Sequence, residues 1–192
     1  DANNTLSLAT SYTDTVGNSG PSATTANYEV ETLAPSVNSF ILSDAALKVG
    51  DTATVTLVFS EAVTAFSSSA DITVANGILA TMTSSDNITW TGTFTPTVNT
   101  EDASNSRYLA TSYIDASGNT GALKTTANYE VDTLAPTLSS VAITSASGIQ
   151  NNLLNTGDVV SVTSTFSENV TVTGTPQLIL NIGGTNRTAT YT

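Results

Sequence analysis

The chain has 192 residues, 39% of them hydrophobic, and its 16 acidic side chains against four basic ones give a formal charge of −12. It contains neither cysteine nor histidine, which excludes disulfide frameworks, thiolate sites and the serine, cysteine and zinc chemistries that depend on an imidazole. The charge opposes nucleic acid and anionic membrane surfaces, so no nucleic-acid partner and no membrane insertion are expected, and cations are the natural ligands.

Residues 1–35 (DANNTLSLATSYTDTVGNSGPSATTANYEVETLAP) recur at 102–136 (DASNSRYLATSYIDASGNTGALKTTANYEVDTLAP), with 23 of 35 positions identical at a shift of 101. A period near 100 residues suits a β-sandwich and excludes short solenoid repeats. Asp1 aligns with Asp102, deep inside a repeat, so the chain is expected to be a slice of a longer array. Residues 1–31 then read as the closing hairpin of one repeat, 32–132 as a complete repeat, and 133–192 as the opening strands of a divergent one.

In chain order, Leu6, Leu8 and Tyr12 of the first hairpin are expected to face inward, with Tyr28 in its second strand. The complete repeat begins with a strand at 37–43. Residues 52–60 follow, where alternation puts Ala53, Val55, Leu57 and Phe59 on one face. Further strands are predicted at 71–75, 78–84, 88–95 (Ile88, Trp90 and Phe94 inward), 107–114 (Leu109 and Tyr113 inward) and 122–131. Turn residues separate them at 48–51, Asn76-Gly77, 84–87 and 115–119. The last segment repeats Phe59-Ser60-Glu61 as Phe166-Ser167-Glu168 and predicts strands at 138–144, 159–166, 177–182 and 185–191, the last two joined by Gly183-Gly184. With no helical period anywhere, the predicted fold class is all-β: tandem immunoglobulin-like Greek-key sandwiches.

The stretch TLAPSVNSFILSDAALKVGDTATVTLVFSEAVTAFSSSADITVANG, with SSDNITWTGTFTPT and YIDASGNTG after it, resembles the bacterial immunoglobulin-like repeats of giant surface adhesins and biofilm-associated proteins. The segment FSENVTVTGTPQLILNIGGTNRTATYT resembles a related repeat type from the same kind of protein. The resemblance implies an extracellular or cell-surface stalk, often stiffened by Ca2+ and often exported by a one-step secretion system. The glycine-rich nonapeptide repeats of many such proteins are absent from this sequence.

Alternating strand direction gathers the entering linker and three loops at one end of the complete repeat, bringing Glu31, Glu61, Asp86, Asp115 and Asn119 together. The opposite end collects Asp44, Asp51, Glu101, Asp102 and Asp132, with Glu168 of the next repeat facing them. Calcium takes about six to eight oxygens from such flexible sets, so a cation at one or more junctions is one expectation. Acidic turn residues that only keep a secreted array soluble are the other. In the resemblance, Glu61, Asp115 and Asn119 belong to the recurring FSE and DxxGN elements and Asp132 to the linker, where Glu31 departs from the usual Asp.

Paired carboxylates alone do not make a glycosidase, which needs a cleft with aromatic platforms, and Trp90 points inward; no enzymatic activity is expected. The leading functional expectation is a spacer that contacts neighbouring immunoglobulin-like repeats. Its rivals are a module that binds glycans or surfaces directly and a subunit that joins copies of itself head to tail through unpaired strand edges.

Overall fold

A computed structural model of the chain describes residues 1–151 and 153–190. The chain divides into two compact units, Asp1–Leu134 and Ala135–Thr192, and both are built from strands.

The first unit opens with β1 (Ser7–Leu8) and β2 (Ala23–Thr24), an antiparallel pair. Single bridges at Asn4–Tyr28 and Thr13–Ser19 extend it into a hairpin of residues 1–31. The complete module follows as β3 (Val37–Leu42), β4 (Ala46–Lys48), β5 (Ala53–Phe59), the one-turn α1 (Ser68–Asp71), β6 (Ile72–Thr73), β7 (Gly77–Leu79), β8 (Thr89–Pro96), β9 (Glu101–Asn105), β10 (Tyr108–Leu109), β11 (Lys124–Thr125) and β12 (Tyr129–Asp132).

Its main sheet has the order β3-β5-β8-β7, and two smaller ones run β11-β10-β6 and β4-β12-β9. β5 is central because every second residue is apolar. Ala53, Val55, Leu57 and Phe59 are all buried, while the threonines between them stay nearer solvent. They pack with Phe40, Leu47, Val63, Ile72, Met82, Phe94, Leu109, Tyr113, Tyr129 and Val131 into one core. Trp90, expected inside, is half-buried at the margin, edge-on to Phe66 with ring centroids 4.8 Å apart.

Several short elements depart from simple alternation. The strand expected at 71–75 shrinks to β6 because Asp71 is buried: its carboxylate accepts the Ser67 amide and the Ser112 hydroxyl, and this bends the chain into α1. The strand expected at 78–84 keeps to the sheet only as β7 and a single Thr83–Thr91 bridge. The closing strand expected at 122–131 splits, β11 serving one sheet and β12 another. β4, in a stretch that sequence alternation passed over, pairs in parallel with β12.

The second unit contains β13 (Leu138–Ser147) antiparallel to β14 (Val159–Phe166), and β15 (Gln177–Ile182) antiparallel to β16 (Thr185–Thr190). Gly183 and Gly184, both at positive φ (58° and 80°), form the two-residue turn between β15 and β16. Tyr191, at the end of the last expected strand, lies outside the described residues.

Candidate functional site

At one end of the complete module, backbone bonds draw the expected loops together. Thr64 bridges Ile114, the Val63 amide donates to the Asn87 carbonyl (3.0 Å), and the Asn119 side-chain amide reaches the Glu31 carbonyl (3.4 Å). The carboxylates themselves are engaged within their own loops. Asp115 Oδ1 accepts the amides of Ser117 (2.8 Å) and Asn119 (2.9 Å), and its Oδ2 accepts the Asn119 side chain (2.7 Å). These bonds, led by the one from the Asn119 side chain, hold the Asp115 carboxyl below the usual range.

Asp86 Oδ1 accepts from Ser84 Oγ (2.8 Å), Ile88 N (2.9 Å) and Thr89 N (2.8 Å), which lowers its pKa as well, the Thr89 amide contributing most. Glu31 accepts the Leu33 amide, and Glu61 sits half-buried just past β5. The DxxGN element is therefore a self-satisfied turn. Gly118, at φ 90°, supplies the left-handed position the turn requires. Asp14, Gly17 and Asn18 of the first hairpin repeat the arrangement, with bonds of 3.0, 2.9 and 2.8 Å to Asp14 and a lowered Asp14 pKa due first to the Asn18 side chain.

At the other end, Glu101 lies directly across the ladder from Asp132, and Asp102 across from Val131. Asp102 accepts the Asn76 side chain (2.7 Å) and the Ser104 amide (2.9 Å). Asp132 accepts the Leu134 amide (3.3 Å) and Asp44 the Ala46 amide (3.0 Å), while Asp51 pairs with Lys48 Nζ at 3.5 Å. Glu168 is half-buried just past β14 of the second unit. Among the described residues no three acidic side chains come together as a metal site. Of the nine expected ligands, Glu31, Asp86, Asp102, Asp115 and Asp132 accept bonds from nearby backbone amides, so a cation at either end would have to share or displace those bonds.

Alternation also carries a residue that the search for acidic ligands passes over. Arg107 shares the inward parity of Leu109 and Tyr113, and it is fully buried (0% exposed). Its guanidinium carbon lies 3.9 Å from the Phe94 ring centroid and 4.3 Å from that of Tyr129. Among the described residues, its Nε, Nη1 and Nη2 have no hydrogen-bond partner. Burial pushes its pKa down to about 10 and raises that of Tyr129. The signal in the sequence was the alignment of Arg107 with Leu6, which marks position 107 as an apolar site.

Fold and site together define an immunoglobulin-like sandwich module with satisfied loops and a closed core. Residues 31–131, more than half of the chain, match the bacterial Ig-like domain family, and the chain belongs to that family. Domains of this kind are structural, generally non-enzymatic modules of extracellular and surface proteins. No curated protein and no solved structure matches the chain. No helix among the described residues is long and apolar enough to cross a membrane.

Proposed function

We propose that this chain is a spacer segment of a repetitive surface adhesin, holding neighbouring immunoglobulin-like repeats at a restricted angle. The observation that carries the reading is the anchoring of the linkers to the modules. On the entry side Pro35 is fully buried, and Ser36 and Ser60 exchange bonds of 2.9 and 2.8 Å. On the exit side the Thr133 hydroxyl donates to the Thr97 carbonyl (2.6 Å) and its amide to the Thr100 carbonyl (2.8 Å). Thr137 and Ser167 of the second unit exchange bonds of 2.9 Å in the same pattern as Ser36 and Ser60.

Only Leu134-Ala135-Pro136 then separates anchored residues, and the proline fixes one of the few free torsions. Calcium belongs to this reading as a junction ligand. Its support is the gathering of acid-bearing loops at one end, and binding requires those loops to share or release their own hydrogen bonds. The test is small-angle scattering and calorimetry of the chain and of Pro136→Gly, each with millimolar calcium and with chelator. A restricted spacer gives a narrow distribution of dimensions that Pro136→Gly broadens, and a junction metal adds a calcium-dependent rise in melting temperature. A distribution already as broad as that of the variant overturns the spacer reading, and identical melting with and without calcium removes the metal from it.

A further inference from the structure

Ala75, Asn76 and Gly77, at the turn from β6 into β7, tie three other strands of the module together. The Ala75 carbonyl accepts the Tyr129 hydroxyl of β12 (2.9 Å), and the Asn76 carbonyl accepts the Thr97 amide just past β8 (3.0 Å). The Asn76 side-chain amide donates to Asp102 Oδ2 (2.7 Å) and Asn105 Oδ1 (2.6 Å), both on β9.

The fold leaves little choice of residue here. Asn76 stands at φ 51°, in the left-handed region that asparagine enters more readily than most side chains do. A Cβ on Gly77 would run into the Phe94 ring and lie 2.6 Å from the Thr95 carbonyl oxygen, so position 77 calls for glycine. The result is the one Asn-Gly pair in the sequence. That pair carries its own chemistry, because with no side chain on the second residue its backbone nitrogen can close on the asparagine carboxamide.

We propose that Asn76-Gly77 is a self-modification site, converted to aspartate and isoaspartate when β9 releases the Asn76 side chain. The Gly77 nitrogen forms a bond to Asn76 Cγ, the Cγ–Nδ2 bond breaks, and the proton given up by Gly77 leaves with Nδ2 as ammonia. Water then adds to either carbonyl of the five-membered succinimide and opens it; solvent is the only co-reactant and nothing is oxidised or reduced. The nucleophile is accessible. In a trans peptide the Gly77 N–H points opposite to the Asn76 carbonyl, which faces Thr97, so it is turned away from β8 on the outermost strand of the main sheet. The carboxamide is what the fold withholds, since it must swing out of both bonds to β9 before it can be attacked.

The change is one-way. Asn105 is 2% exposed, and its Nδ2 donates to the carbonyls of Asp102 (2.8 Å) and Tyr129 (3.2 Å), which fixes its Oδ1 toward position 76. A carboxylate at position 76 therefore meets Asp102 and Asn105 Oδ1 with no proton to offer either, and one of the two is a like charge. Isoaspartate also lengthens the backbone at the start of β7. The loss lies close to the exit linker, because the Thr97 carbonyl accepts the Thr133 hydroxyl (2.6 Å). The site rests on these contacts alone and not on the spacer reading.

The test is peptide mapping by mass spectrometry of the full chain, held at mildly alkaline pH without urea, in urea below the unfolding midpoint, and in urea above it. In the unfolded chain Asn76 is expected to convert ahead of every other asparagine, to both products. In the native chain it converts at least about tenfold more slowly, and the rate climbs with urea below the midpoint as local opening becomes easier. Asp102→Ala removes one of the two acceptors and speeds the native reaction several-fold. Asn76→Asp is expected to melt about 5–10 °C below the parent chain. Equal rates in the native and unfolded chain, a folded Asp102→Ala chain that reacts no faster, or an Asn76→Asp chain that melts with the parent overturns the proposal. Where Asp102→Ala fails to fold, the urea series decides: a rate flat up to the midpoint overturns it as well.

Discussion

Arg107 is the residue at which this module departs from what its core calls for. A guanidinium buried without an acceptor carries a desolvation cost that contact with two aromatic faces offsets only in part, each such contact contributing about 2 kcal/mol when desolvated. The first hairpin places leucine at the equivalent position. Arg107→Leu is therefore expected to stabilise the module by about 1–3 kcal/mol, seen as a rise in calorimetric melting temperature; a fall would mean that the Phe94 and Tyr129 contacts outweigh the desolvation. Asp115 makes the opposite case. Its folded pKa lies below its ordinary value of 3.8, so the native state binds fewer protons than the unfolded one there. The stability it contributes is complete above pH 3.8 and is lost as pH falls through the folded value. Asp115→Asn keeps the side-chain oxygen and abolishes the titration, so its melting temperature is expected to fall less between pH 5 and 2.5 than that of the parent chain; parallel curves would show that this carboxylate does not govern acid stability.

At the scale of elements, strands with strict alternation were legible in the sequence and those governed by a polar contact were not. β5 and β8 run where period-2 patterning places them, because each contributes a continuous apolar face to the core. β6 is short because Asp71 bonds to groups distant in sequence, and no local pattern announces that. β4 stayed hidden for the same kind of reason: three residues pair in parallel with a strand more than eighty positions later, and parallel pairing leaves little periodic signal in so short a run. Among the site residues, the gathering of the loops followed from strand order alone. Whether Asp115 and Asp86 turn toward a shared ion or toward their own backbone did not. That choice rests on positive-φ residues such as Gly118 and Asn87, which let the loop amides curl onto the carboxylate. The repeat itself carried the most information, since aligning the two hairpins marks position 107 as a core site.

At the scale of the whole chain, apolar burial is uneven. Among the described residues the buried hydrophobic side chains of the core fall between Phe40 and Val131, whereas Leu138, Val141, Ile143, Ile179 and Ile182 of the second unit are 45% exposed or more, as are Leu6 and Leu8 of the first hairpin. Local opening costs least where few apolar contacts are lost. Limited proteolysis is therefore expected to remove residues beyond Ala135 and to nick the 1–31 hairpin well before it cuts the complete module. Hydrogen exchange should then show the slowest amides in β5 and β8, at the centre of the main sheet. Protection of the second unit equal to that of β5 would mean that its apolar faces are covered in solution.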